Sequence, residues 1–290
     1  MNEHMASAIL GVSVDIWIRD MQHDTQRTAR RLAELGGLFS TGAKQRRFFS
    51  QAEDILKNRS SAYYPLLKAL CSNVDAGAIR TFGMAFGYHS LSRGAAKRRA
   101  AVQGGHPAVS FAAFVRDATP SSLEGSISST NPLGTGTYLV YPAASCDATA
   151  LCGVMRKYRE CAFLVFDARH EFADGLPFNA MRLVPFQELL DGKLPRAGAL
   201  FGAFAAFDEA SIGQDVSCER LKSLSKCGCM FYVLTASAGV SACAKAQVAQ
   251  KISFLRRNLP CPIFPVSLET DVECVDSPVL AFLPQFAGAF

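Results

Sequence analysis

The sequence predicts an α/β protein in two parts. Residues 1–105 form a helical region, and residues 106–290 form a mostly parallel sheet that is either open or closed in part as a TIM-like (βα) barrel. Two observations lead to this fold class. Apolar residues recur at helical spacing before Gly104-Gly105, whereas beyond Pro107 short apolar runs alternate with helical segments. Strands that alternate with helices are typical of βαβ units with parallel strands.

Apolar spacing and helix-start signals predict successive helices in the first part. Asp24 and Asp75 are N-cap candidates, because a carboxylate at that position accepts the unpaired N–H groups of the first turn. Pro65 suits the first turn of a helix that begins near residue 62. The other predicted helices cover residues 6–21, 25–35 and 41–58, and a further one begins at residue 75.

The clearest βαβ unit lies in residues 137–166, where two apolar runs flank a segment with helical spacing. The second run, 161–166, contains no charged residue, which is typical of a strand covered on both faces. Residues 117–132 are rich in Ser, Thr, Pro and Gly and are predicted to be a loop. The remaining predicted strands are 109–115, 181–184, 199–207, 229–235, 262–268 and 279–283, and the remaining helices are 186–190, 215–226 and 240–258.

The composition argues against several classes of protein. Apolar residues make up 49% and charged residues 19% of the chain, which is not the composition of a disordered protein. No run of 18 uncharged apolar residues is present, so no membrane span is expected. The N-terminus carries Glu3 and Asp15 and lacks the cationic stretch of a signal peptide. We therefore expect a cytoplasmic protein whose ten cysteines are reduced and mostly buried.

The positive charge lies in the helical region. Residues 1–105 hold 15 Lys and Arg against 8 Asp and Glu, within a chain of net charge +5. A basic region can favour an anionic partner, but a solvated helical surface has the same composition. The basic residues lack the interleaved aromatic residues on which bases stack, so nucleic-acid binding is not expected.

Chemistry in parallel α/β architectures lies at the carboxyl ends of the strands. Asp167, Arg169 and His170 follow one predicted strand and together offer an acid, a base and an anion-binding group. They are candidates for general acid–base catalysis, although an ordinary polar sheet edge has the same residues. Asp208 and Glu269 follow two later strands and are further catalytic candidates.

Cysteines at three positions offer an alternative metal site. Cys218, Cys227 and Cys229 are close in sequence, but small apolar residues at the start of a strand are the better description of this segment. The segment 134–137, Gly-Thr-Gly-Thr, looks like a phosphate-binding loop, but it precedes a strand where such loops open a helix. Nucleophile-elbow, HExxH and Walker motifs are absent, and no cofactor is expected.

Several stretches, in their order along the chain, resemble the radical S-adenosylmethionine (radical SAM) superfamily, in its subgroup with an N-terminal helical extension. These stretches are YYPLLKAL at 63–70, RECAFLVF at 159–166, FDEA at 207–210, CMFYVLT at 229–235 and PIFPV at 262–266. The resemblance covers most of the chain and implies a helical extension followed by a partial TIM-like barrel.

The residues that define the superfamily are absent. Its members carry three closely spaced cysteines in the loop after the first strand, which ligate the [4Fe–4S] cluster that cleaves S-adenosylmethionine. Here no cysteine lies between Cys71 and Cys146. The family's glycine-rich motif after the second strand is replaced by residues 141–145, and a polar pair on a later strand is replaced by Ala203 and Ala205. The cosubstrate and the cluster are therefore not expected to bind.

Two hypotheses about function remain open. In the first, the chain is a non-catalytic radical-SAM-like protein that acts as a partner, regulatory or substrate-binding subunit, for example with an active radical SAM paralogue. In the second, it is a small-molecule transferase or hydrolase that uses Asp167, Arg169, His170, Asp208 and Glu269 in the old barrel cavity.

Overall fold

The computed structural model describes residues 3–38, 43–169, 171–172, 175–193, 195–257 and 259–275. It confirms the predicted fold class, with a helical N-terminal region followed by a curled, all-parallel sheet that forms a partial TIM-like barrel. The helices that precede the sheet are α1 (Glu3–His23), α2 (Thr25–Leu38), α3 (Ala43–Lys57), α4 (Tyr63–Asn73), α5 (Ala76–Gly83), a π-helix (Met84–Arg93) and α6 (Gly94–Gln103).

Seven strands are hydrogen-bonded in their sequence order, which is the order that successive βα units give. Within the described residues β1 does not pair with β7, so the barrel is open. The strands are β1 (Ala112–Ala118), β2 (Thr137–Pro142), β3 (Ala162–Phe166), β4 (Ala180–Pro185), β5 (Phe201–Phe207), β6 (Phe231–Ala236) and β7 (Phe264–Ser267). The helices that follow them are α7 (Pro120–Thr130), α8 (Ala148–Lys157), α9 (Phe186–Leu190), α10 (Ile212–Asp215), α11 (Cys218–Lys226), α12 (Ala242–Arg257) and α13 (Leu268–Val275), with a 3₁₀ turn at Asn131–Leu133.

The prediction of a loop at 117–132 is wrong, because this segment contains helix α7. Thr119 is its N-cap and forms a reciprocal capping box with Ser122, and Pro120 occupies the first helical position. Leu123 and Ile127, one turn apart, are the residues that α7 buries against the sheet. The predicted N-caps Asp24 and Asp75 are confirmed. The predicted strand at 279–283 lies outside the described residues.

The two faces of the sheet are covered by different parts of the chain. On the outer face, helices α7 to α12 pack on alternate strand residues such as Tyr138, Phe163 and Leu234. On the opposite face, called here the inner face, α4, α5, the π-helix and α13 pack on the intervening residues such as Leu139 and Phe166. The N-terminal helical region therefore shares a hydrophobic core with the half-barrel.

The helical region also contacts the amino ends of the strands through closely approaching backbone. A Cβ on Gly94 would lie 2.7 Å from the carbonyl oxygen of Gly134, so only glycine fits at this contact. The Nη1 atom of the buried Arg98 donates to that same carbonyl at 2.7 Å. The hydroxyl of Ser90 lies 2.8 Å from that of Thr137. The π-helix and α6 thus pack directly on the glycine-rich segment 134–137.

No helix in the described part of the chain is long and apolar enough to cross a bilayer.

Candidate functional site

The carboxyl ends of the strands, where this architecture places chemistry, begin with an irregular β1. Val115 pairs with Val140 and Ala118 with Pro142, so Arg116 and Asp117 together oppose the single residue Tyr141. This is a β-bulge, and Asp117 adopts a positive φ of 44°, which is uncommon for a residue with a side chain. Thr119 alone separates β1 from α7. The connection is therefore too short to form a loop that could wrap a cofactor.

Asp167, the first predicted catalytic acid, forms a buried ion pair. Its Oδ2 accepts from Arg182 of the neighbouring strand β4, at 2.7 Å from Nε and 2.6 Å from Nη2. Its Oδ1 accepts from the backbone N–H of Glu171 at 2.9 Å. The side chains of Asp167 and Arg182 are 1% and 8% exposed, respectively. The carboxylate therefore neutralises a buried guanidinium and anchors the start of the β3–β4 connection.

This ion pair lies beside the connection from β3 to β4. The β3–β4 connection contains no helix in its described residues, whereas most of the other strand connections contain one. Arg182 lies between Ala180 and Val184, which belong to the outer-face clusters, and Phe172 is buried beside them. A charged pair and one aromatic side chain occupy the position where a crossover helix would pack.

Four other acids at this end of the sheet also accept hydrogen bonds from backbone N–H groups, three of them close to their own strand end and Glu209 after the neighbouring strand. Asp147 caps α8 by accepting from Ala150 N, and Asp208 accepts from Ser211 N at 2.8 Å. Glu209 accepts from the backbone N–H of Ser241, the residue before α12, and hydrogen bonding by the Ser241 side chain and backbone lowers the pKa of its carboxyl group. Asp271 accepts from Ser267 N at 2.9 Å and forms a bidentate pair with Arg256. These carboxylates stabilise turns and helix starts.

Aromatic side chains on the inner face stack at the same end. The rings of Tyr141 and Phe166 are parallel with centroids 4.1 Å apart, and Phe114 stacks on the Tyr141 side at 6.5 Å. Phe204 meets Phe166 edge to face at 5.2 Å. The rings from β1, β2, β3 and β5 therefore cover much of one another's surface.

Beside this stack lies an open depression of about 220 Å³. It is smaller than typical drug-sized pockets, which range from roughly 300 to 1,000 Å³. The depression is lined by Tyr141, Pro142, Phe166, Asp167, Ala168, Arg169, Glu171 and Phe204. We call it the rim depression.

Of the predicted catalytic residues, the structure brings Asp167 and Arg169 to the rim depression. Asp208 does not line it and is exposed at the end of β5. Glu269 lies in α13, next to β7, and its side chain is outside the described residues, as is His170. The Arg169 side chain is 55% exposed and its Nη1 lies 3.8 Å from Glu171 Oε1.

The three candidate metal-binding cysteines do not form a cluster. No group of three or more His, Cys, Asp or Glu side chains in the described residues is arranged to hold a metal ion. Cys218 is exposed, whereas Cys229 is buried and its Sγ lies 3.0 Å from the carbonyl oxygen of Phe231. Burial raises the pKa of Cys229 to about 12, so it remains a thiol.

The two alanines at positions 203 and 205, which were compared with a polar pair of the radical SAM pattern, lie on the outer face of β5. Ala203 and Ala205 face the outer helices, and Phe204 and Ala206 occupy the alternate positions on β5. The alanine pair therefore does not line the rim depression.

Arg182 and Glu171 are site residues that sequence reasoning missed. A charge inside the apolar segment 180–185 was the available signal, because a buried arginine requires a buried acid.

Comparisons with protein-family models, curated protein sequences and solved structures found no match to this chain.

Proposed function

We propose that this protein is a cluster-free, radical-SAM-like scaffold that acts as a non-catalytic partner, regulatory or substrate-binding subunit. One observation carries the proposal: a single residue, Thr119, joins β1 to α7. A [4Fe–4S] cluster needs several cysteine thiolates, and in the family these lie in the corresponding connection. Here the hydroxyl groups of Thr119 and Ser122 cap helix α7 instead.

The strand-end acids support a non-catalytic role. A general acid or base must be able to reach substrate with a free carboxyl oxygen. Asp167 uses both of its oxygens in a buried pair and a backbone hydrogen bond, and Asp208 closes its own turn. Stabilising the connections is therefore sufficient to account for these two residues.

The proposal is tested by adding the purified chain to an active radical SAM paralogue from the same genome. Size-exclusion chromatography with light scattering should show a complex of defined stoichiometry, and the paralogue's turnover should change when the complex forms. The chain alone, with reductant and S-adenosylmethionine, should cleave none of the cosubstrate. Cleavage by the chain alone, or neither a complex nor an effect on turnover, would contradict the proposal.

A second candidate is an enzyme with repurposed chemistry, and the rim depression favours it. Asp167, Arg169 and Glu171 line this depression at the carboxyl ends of the strands. Its polar groups, however, are an acid held by Arg182 and a loosely paired Arg169 and Glu171. This arrangement suits binding better than proton transfer, so we place the enzyme second.

A further inference from the structure

We propose that the rim depression binds a small zwitterion with one aromatic ring, of the class of free aromatic amino acids. This inference deepens the proposed function, because it names the ligand that a substrate-binding subunit of this kind would take. It depends on the size of the depression, on its apolar side and on the two opposite charges at its lip.

The volume limits the ligand to a single ring with a short polar tail. An engineered apolar cavity of about 150 Å³ accommodates one benzene molecule. The rim depression measures about 220 Å³, which leaves room beyond a ring for a few heavy atoms. Nucleotides and other ligands with several rings would extend into solvent and lose most of their contacts.

One side of the depression offers apolar and aromatic contacts. Phe166 is 3% exposed and forms its base, while Phe204 and Pro142 are half-buried beside it. Phe166 already stacks on Tyr141, so a ligand ring would approach the accessible parts of Phe204 and Pro142. Aromatic pairs favour edge-to-face or offset contacts, as Phe166 and Phe204 already show.

Among the described residues, the lip of the depression carries a cation and an anion close together. Arg169 and Glu171 are 55% and 23% exposed and their nearest charged atoms are 3.8 Å apart, which makes a loose surface pair. The third charge, Asp167, is neutralised by Arg182. A carboxylate could therefore bind Arg169 and an ammonium group could bind Glu171, whereas a simple anion would leave the charge of Glu171 without a partner in the ligand.

The test is isothermal titration calorimetry of the full chain with four probes: L-phenylalanine, L-alanine, phenylacetate, which lacks the ammonium group, and phenethylamine, which lacks the carboxylate. L-phenylalanine should bind, L-alanine should not, and each singly charged probe should bind at least 5-fold more weakly than L-phenylalanine. Failure of L-phenylalanine to bind at millimolar concentration would overturn the inference. Equal binding of phenylacetate or phenethylamine would overturn the assignment of a zwitterion.

Variants locate the binding site. Arg169→Ala and Glu171→Gln should each weaken L-phenylalanine at least 5-fold, and Phe204→Leu, which preserves an apolar side chain, should weaken it through loss of the ring contact. Arg257→Ala removes an exposed arginine on α12, which does not line the depression, and should leave affinity unchanged. An unchanged affinity in Arg169→Ala and Phe204→Leu would show that the ligand binds elsewhere and overturn the inference.

The failure of this inference can be distinguished from failure of the proposed function. The proposed function is decided by cluster content, by cleavage of S-adenosylmethionine and by complex formation, none of which requires the aromatic ligand. A cluster-free chain that modulates its paralogue but binds none of the probes would contradict the ligand alone. A chain that binds L-phenylalanine and also cleaves the cosubstrate would contradict the non-catalytic role and leave the ligand assignment standing.

Discussion

The two ends of the parallel sheet are stabilised in different ways. At the amino ends, helices approach the strands closely through glycine contacts, and the buried Arg98 and Asn179 donate to backbone carbonyls. At the carboxyl ends, acids such as Asp167 and Asp208 accept from backbone N–H groups. Enzymes of this architecture usually reserve the carboxyl ends for chemistry. Here these described polar groups bind the backbone at both ends, and the rim depression lies beside Asp167 at the carboxyl ends.

The largest expected effect comes from breaking the ion pair at the carboxyl ends. Asp167→Asn should lower the free energy of unfolding by about 3–5 kcal/mol, because it removes the carboxylate charge that neutralises the buried Arg182 in this ion pair. The double variant with Arg182→Met should recover part of this loss. Chemical denaturation measures both, and the exposed Asp208→Asn is the matched control. If Asp167→Asn and Asp208→Asn lower the free energy of unfolding by similar amounts, the ion pair does not stabilise the carboxyl ends as stated here.

The next largest effect comes from the close contact at the amino ends. Gly94→Ala should destabilise the protein by about 1–3 kcal/mol, because its Cβ would lie 2.7 Å from the Gly134 carbonyl oxygen. Gly153→Ala on α8 is the matched control, since a Cβ there meets nothing within 4 Å. It should stabilise the protein by about 0.5–1 kcal/mol through helix propensity. In thermal unfolding, Gly94→Ala should lower the midpoint temperature and Gly153→Ala should raise it. Shifts in the same direction would contradict the role of the close contact.

A smaller effect is expected at the start of α7. Thr119→Ala removes the capping hydroxyl and should cost about 1 kcal/mol of unfolding free energy. The exposed Ser145, in the connection before α8, gives a matched loss of a hydroxyl group, and Ser145→Ala should change stability by less. If the two variants cost the same in urea denaturation, the cap does not stabilise the β1–α7 connection.

The smallest effect is a pH dependence at the helical region. Burial lowers the pKa of His89. The negative charge of Glu160 raises this pKa, and the positive charges of Arg93 and Lys97 lower it further. The unfolded chain therefore takes up this proton first, and stability should fall as the pH decreases below the ordinary histidine pKa of about 6.5. His89→Gln should show a shallower decrease between pH 7.5 and pH 5.5 in denaturation series. An unchanged slope would exclude His89 as the cause.

The sequence predicts the strands well and the connections poorly. Apolar runs such as 161–166 require burial on both faces, so their pattern alone locates the strands. Helix α7 was predicted as a loop because Leu123 and Ile127 are its only buried residues among many Ser and Thr. Its helicity depends on the cap at Thr119 and on packing against the sheet, which local composition does not reveal.

The candidate site could be predicted only in part. Strand ends identified Asp167 and Arg169, because their position in the chain fixes their end of the sheet. The pairing of Asp167 with Arg182, fifteen positions away, depends on the register of β3 and β4. The rim depression depends on the curl that brings Tyr141, Phe166 and Phe204 together, and no local pattern encodes that curl.

The most direct test of the central claim is the iron and sulfide content of the chain after anaerobic purification and reconstitution with both elements. We predict far less than one iron atom per chain and no charge-transfer absorption of a cluster, because the β1–α7 connection provides no thiolates. Four iron and four sulfide per chain, stable to gel filtration, would contradict the account.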